Sequence, residues 1–199
     1  MRRRALLLGL LAASCASPDA AFFTLAPVPG APAPGGPRAV QLRRPGLAGY
    51  LDRAEIVRAG GPYQLRLAGN ERWGEPLGDL IGRMMVENLS TRLRGSTVYA
   101  EAGSITAVPD ATVELDVQRF DADPSGEVVL MAQVSVQRGR DREGAQTRTV
   151  RLTVRPATGS TADLVAAMST ALGQLADRVA EMLRGGARPA AQAASRRGR

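Results

Sequence analysis

Residues 113–154 read VELDVQRFDADPSGEVVLMAQVSVQRGRDREGAQTRTVRLTV. Three runs within this stretch alternate apolar and polar side chains with period two: Val113, Leu115 and Val117; then Val128, Leu130, Ala132, Val134 and Val136; then Val150, Leu152 and Val154. Successive side chains of a strand point to opposite faces, so each run turns one face to a core and the other to water. The links, Asp123-Pro124-Ser125-Gly126 and Gly139-Arg140-Asp141-Arg142-Glu143-Gly144, are polar and turn-forming. The spacing predicts an antiparallel three-strand meander with one dry face.

A helical pattern lies on each side of it. Pro76 suits a first helical position behind Glu75, and Leu77, Leu80, Ile81, Met84, Met85, Leu89 and Leu93 recur at three- and four-residue steps until Gly95. After the meander, Ser160 and Asp163 approximate a capping box, and Val165, Met168, Leu172, Leu175, Val179 and Met182 run to Gly185-Gly186. A helix of about 24 residues spans about 36 Å, enough to cross the meander or to pair with another helix. Upstream, Phe22-Phe23-Thr24-Leu25 and Val40-Gln41-Leu42 are short and β-prone, and Gly60-Gly61-Pro62 punctuates a hairpin between Glu55–Arg58 and Tyr63–Leu67. The expected fold class is α+β, a two-layer α/β arrangement of an antiparallel or mixed sheet, including the meander, packed by two amphipathic helices.

The N-terminus has a different character. Met1-Arg2-Arg3-Arg4 is cationic and residues 5–14 (ALLLGLLAAS) are uncharged and mostly apolar. Ten residues rise only about 15 Å as a helix, half a bilayer core, so the run describes an export signal and not a span. Leu11-Ala12-Ala13-Ser14-Cys15 looks like a lipobox, which makes Cys15, the sole thiol, the expected site of covalent diacylglycerol and acyl chains; the plainer reading is an incidental Cys after an ordinary signal. Each buried CH2 contributes about 0.8 kcal/mol, so two or three chains anchor stably. Ala16 stands where an Asp marks inner-membrane retention in many diderm bacteria, which directs the expectation to the periplasmic face of the cell outer membrane. The organisation expected is a signal at 1–14, a lipidated N-terminus with a short strand and a Pro/Gly-rich spacer at 15–37, an α/β domain at 38–186, and a disordered basic tail at 187–199.

Composition excludes more than it suggests. The net charge of +7 and pI near 11 invite a nucleic-acid reading. Three Arg lie in the signal and five within residues 184–199, with no acid in either, leaving 18 Arg against all 19 acids between them. The domain is near neutral, and the expectation is no nucleic-acid partner. There is no His and no Lys, which removes imidazole bases, Ser–His and Cys–His nucleophile pairs, His-containing zinc sites, Schiff bases and the Walker A lysine. No catalytic residue, metal site or cofactor is expected. Carboxylates remain: Asp121 with Asp123, and Glu114 with Asp116, are spaced for glycosidase-like pairs, but solvated acids on a wet sheet face read identically. Met84, Met85, Met131, Met168 and Met182 suit either a core or an adaptable groove. Trp73, the only Trp, suits either a strand-to-helix brace or a partner-facing anchor.

Taken together, the lipobox Cys, the Phe-Phe-Thr-Leu strand, Gly49-Tyr50-Leu51-Asp52-Arg53-Ala54-Glu55-Ile56-Val57-Arg58, and Glu71-Arg72-Trp73-Gly74-Glu75-Pro76-Leu77 leading to Glu87-Asn88-Leu89-Ser90 resemble the ABC-type transport auxiliary lipoproteins, the PqiC/YmbA-like group. Ala54 and Gly74 depart from the Pro and Ala usual there. The resemblance spans residue 15 to about 184. It implies an adaptor beside an ABC permease and ATPase and an Mce-domain substrate-binding protein in intermembrane lipid transport, with phospholipid as a further ligand. The residues it implies for docking are Tyr50, Leu51, Asp52, Arg53, Trp73, Glu75 and Pro76. The alternatives are an envelope lipoprotein of unrelated structural or binding role, and a carboxylate-dependent hydrolase. A homo-oligomer through sheet edges is a further expectation.

Overall fold

The computed structural model describes residues 19–105, 107–139 and 145–185. The signal, Cys15, the link at 140–144 and the tail at 187–199 lie outside the described residues. In chain order the elements are β1 (Ala21–Phe23), β2 (Ala39–Leu42), β3 (Gly46–Leu47), β4 (Glu55–Gly61), β5 (Gln64–Trp73), α1 (Leu77–Arg92), β6 (Thr97–Ala100), β7 (Ala111–Ala122), β8 (Val128–Arg138), β9 (Gln146–Val154) and α2 (Thr161–Gly185). The fold is α+β: a mixed sheet with both helices laid on it.

The meander is present with the expected alternation. Val113, Leu115 and Val117 stand opposite Val136, Val134 and Ala132, and Leu130 and Val128 opposite Leu152 and Val154, all antiparallel. Asp123 closes the first turn, accepting from the Ser125 and Glu127 amides (2.8 and 3.1 Å) and the Ser125 hydroxyl (2.6 Å). Gly126, at φ +87°, takes the left-handed position that a side chain rarely tolerates. A bulge between Val117 and Arg119 then breaks the period of two. It returns Phe120 and Ala122 to the core and leaves Arg119 on the other face, half-buried.

Strand β7 organises the rest. Its second edge is shared in sequence by β2, β3 and β4, all parallel, through the pairs Leu42 with Val113, Leu47 with Val117, and Arg58 with Ala122. Beyond them, β6 runs parallel to β2, β5 antiparallel to β4, and β1 parallel to β5. The hairpin reaches further than expected. Gly60 and Gly61 belong to β4, the turn is Pro62-Tyr63, and β5 continues to Trp73 across an irregularity where Gly69 has φ +44°.

The seven-residue stripe of α1 is buried throughout. Pro76 occupies the cap position, not the first helical residue, with φ −51° and ψ 131°, and its carbonyl accepts from Asp79 and Leu80. Gly95 ends the segment at φ +82°. In α2 only half the capping box forms. The Ser160 hydroxyl accepts from the Asp163 amide (3.1 Å), whereas the Ser160 amide donates to Thr158 Oγ1 (3.2 Å) and the Asp163 carboxylate accepts from the Thr158 hydroxyl. The two placements expected for α2 turn out to be compatible: it lies on β7, β8 and β9 and also flanks α1. That double contact widens its buried face to Ala167, Ala171, Ala176 and Ala180. Met84, Met85, Met168 and Met182 are core side chains.

The Pro/Gly-rich run expected as a spacer is laid against the two helices. Leu25 is buried; the Ala26 amide donates to Ser169 Oγ (3.1 Å) and the Val28 amide to Asn88 Oδ1 (2.8 Å). Arg92, 2% exposed, donates through Nη1 to the carbonyls of Val28 (2.9 Å) and Asn88 (3.0 Å), and its Nε pairs with Asp177 Oδ1 at 2.6 Å. Ala33 exchanges backbone hydrogen bonds with Arg92 and Arg94. A Cβ on Gly30 would stand 2.3 Å from the Arg92 guanidinium carbon, so the missing side chain lets the strap approach.

Candidate functional site

Two of the sequence segments singled out for docking meet at the entrance to α1. The turn after β3 folds back with Leu51 and Arg53 amides donating to Ala48 and Leu51 carbonyls (2.8 and 2.9 Å). The end of β5 is fixed against it by the Trp73 amide donating to the Ala54 carbonyl (2.7 Å), while the Gly74 amide donates to Phe23 (2.8 Å). Asp52, Arg53, Ala54, Trp73, Glu75 and Pro76 thereby line one open cleft of about 340 Å³.

The seven candidate residues do not share one role. Leu51 is 1% exposed and Trp73 5% exposed; both belong to the core, with Trp73 presenting only an edge to the cleft. Trp73 is thus the brace of the strand-to-helix junction. Asp52 and Arg53 are exposed and make no side-chain hydrogen bond or ion pair among the described residues, a free acid and a free base beside an apolar wall. Glu75 is held by Arg83 at the cleft's rim. A cleft with an indole edge, a proline and two uncommitted opposite charges suits recognition of a polypeptide or headgroup by complementary charge and contact.

Tyr50 faces elsewhere. Its hydroxyl donates to Asp121 Oδ2 at 2.6 Å, and Asp121, 3% exposed, also accepts from Arg119 Nε at 3.0 Å. Burial first, then the Asp121 hydrogen bond and charge, push the Tyr50 phenol well above its ordinary range. This trio lines a separate recess of about 370 Å³ beside the β4–β5 ribbon. Three of the four paired carboxylates are committed as well, Asp116 alone making no side-chain hydrogen bond or ion pair among the described residues. Asp121 is engaged by Tyr50 and Arg119, Asp123 by its own turn, and Glu114 by Arg43 at 2.9 Å. Among the described residues no group of three or more His, Cys, Asp or Glu is placed to hold a metal ion. No helix among them is long and apolar enough to cross a membrane.

The sequence reading missed a larger groove of about 380 Å³ along α1, floored by Leu42, Gly78, Gly82 and Val86. Its rim carries Arg44 paired with Asp79 (3.1 Å) and Arg43 paired with Glu114. The spacing of Gly78, Gly82 and Val86 at i, i+4 and i+8 is the only signal for it, hidden beside the stronger Leu and Met stripe.

The class is a small α+β domain with open clefts on its surface. The chain belongs to the family of ABC-type transport auxiliary lipoprotein components, whose model matches residues 23–180. No curated protein matches it. Among solved structures, a crystal structure of an uncharacterized protein superposes with a TM-score of 0.71 at 19% identity, covering 83% of this chain and 99% of that one. Protein XCC0632 from Xanthomonas campestris, a DUF330 protein, superposes with a TM-score of 0.67 at 19% identity, covering 87% and 99%. At that identity the likeness is one of fold.

Proposed function

We propose that this protein is an outer-membrane-anchored periplasmic lipoprotein, tethered through acyl chains on Cys15, that serves as the adaptor subunit of an ABC-type, Mce-domain-linked intermembrane lipid transport system. It performs no catalysis; its work is to hold the transport apparatus to the membrane through the cleft of Asp52, Arg53, Trp73, Glu75 and Pro76. The observation that carries the reading is the family match across residues 23–180. The cleft adds a surface on which two sequence-distant parts of the family resemblance converge. Opposite free charges at Asp52 and Arg53 favour orientation and register over raw affinity.

Labelled palmitate is expected to enter the wild type and not Cys15→Ala, and Ala16→Asp is expected to move the protein to the inner membrane. From crosslinked envelopes, an Mce-domain protein and permease components should co-purify with the wild type. Recovery of neither with an intact, acylated protein would leave an envelope role unrelated to transport.

A further inference from the structure

The β4–β5 ribbon is the part of the molecule least accounted for by its own packing. Tyr63 is fully exposed, Leu65 and Leu67 are each about half exposed at 47%, and Gln64 and Arg66 between them are exposed as well. From Ala59 to Asn70 the chain holds one Arg, Arg66, and no acid, while Arg58 at the ribbon's base donates to Thr161 Oγ1 at 2.8 Å. From Gln64 to Leu67, β5 pairs with β4 alone among the described strands, because β1 joins it only at Glu71–Trp73. A tip with a tyrosine, two leucines and an arginine has the composition of a segment that seats at a lipid headgroup boundary, apolar side chains down and the cation among phosphates.

The path of the chain says which surface it meets. Strand β1 runs parallel to β5, with Ala21 beside Glu71, so the chain enters β1 from the ribbon's side. Cys15 precedes Ala21 by six residues, a reach of at most about 20 Å. Gln64 lies seven residues before Glu71 on β5, roughly 23 Å along the strand. The chain thus enters β1 from the end of β5 at which the ribbon tip stands, and the tip lies no farther from β1 than roughly the length of chain that links the anchor to it. Phe22, 68% exposed on β1, adds an apolar side chain on that path.

We infer that the β4–β5 ribbon, through Tyr63, Leu65 and Leu67 with Arg66 beside them, is a second membrane contact that seats on the anionic phospholipid surface holding the lipid anchor. This rests on the acylation of Cys15 proposed above. The tether holds the tip at high effective concentration, so a weak insertion suffices. It also fixes how the domain stands on the membrane. A lipid-anchored protein held at one point swivels; one held at two presents a defined face to its partners.

The test uses the full-length acylated protein, acylation verified by intact mass, in vesicles of phosphatidylethanolamine with a minority of phosphatidylglycerol. Gln64→Cys and, as a control at the far end of β9, Thr147→Cys each supply one free thiol for a nitrobenzoxadiazole label. The label at 64 is expected to be quenched by doxyl lipid and protected from iodide, with the reverse at 147. Replacing Tyr63, Leu65 and Leu67 together by Ser, with unchanged circular dichroism, should abolish that protection. Iodide quenching at 64 in a protein of acylated mass would overturn the inference and leave the anchor standing. Shielding from both quenchers would assign the ribbon to a protein contact instead. A mass without acyl chains would remove the tether and the inference together.

Discussion

Asp121 is the most tightly enclosed acid among the described residues, and its two hydrogen-bonding partners come from different parts of the chain. Tyr50 reaches it from the turn after β3 and Arg119 from the bulged strand that carries Asp121 itself. A buried carboxylate is stable only when its lone pairs are occupied, and losing one charged-group hydrogen bond costs about 1.5–3 kcal/mol. Tyr50→Phe is expected to lower unfolding free energy by about that amount at neutral pH, measured by urea denaturation. Because the folded phenol is raised above its ordinary value near 10, the unfolded chain ionises first. This contribution is complete below about pH 10 and erodes as pH rises beyond it. The gap between wild type and Tyr50→Phe should therefore narrow in alkali. A constant gap across that range would contradict the role given to the phenol. The Ser125 hydroxyl holds the Asp123 carboxyl below its ordinary range, and the Thr158 hydroxyl does the same for Asp163. Their stabilisation is present above about pH 4 and lost as pH falls. The sequence singled out Tyr50 and Asp121 separately, but nothing in it joined them, since their contact closes a loop of 71 residues.

Legibility at the scale of elements followed the period of the pattern. The meander and both helices were readable because Val128 to Val136 and Leu77 to Leu93 repeat their periods over several turns or pleats. The end of β7 was not, since the bulge at Val117 and Arg119 resets which side chains face inward. The far half of β5 was missed too: Ala68, Gly69 and Asn70 carry no strand pattern, and they fall in the register shift between the Val57–Leu67 and Glu55–Arg72 pairs of β4 and β5. The run from Val28 to Ala33 reads as a spacer because Pro, Gly and Ala dominate it; its partners are polar groups of the helices, above all Arg92, and Gly173, against which the Val28 side chain lies. Arg92→Ala is expected to destabilise the protein by about 2–3 kcal/mol and to speed amide exchange at Val28 and Ala33 while β8 amides stay protected. Gly30→Ala should loosen the same amides by displacing the guanidinium. Unchanged exchange at both positions in both variants would show that the strap is held by something other than Arg92.

At the scale of the whole molecule, a local meander is extended by parallel strands that only tertiary folding can place. Parallel pairing of β2, β3 and β4 along one edge of β7 joins segments up to 71 residues apart, a relation no periodicity records. The same non-local pairing builds the candidate site, bringing Asp52 and Arg53 beside Trp73, Glu75 and Pro76, while it turns Tyr50 toward another recess and buries Leu51. The segments were legible from their residues, but their division of labour was not, since it depends on which side of each turn faces the core. The cleft and the groove along α1 adjoin at Glu75, and the ribbon stands apart from both, beside the point where the chain enters. The proposed adaptor role needs the ribbon and the cleft to stand apart, since the surface proposed for the membrane and the surface proposed for a partner must both be available at once. The most direct measurement is photocrosslinking in intact cells with a benzophenone side chain at Arg53, compared with one at Thr147 on the remote edge. The cleft account expects an Mce-domain or permease adduct from position 53, reduced when Asp52 is also replaced by Lys, and none from position 147. Equal adducts from both positions, or none from 53 in a protein that is folded and acylated, would contradict it.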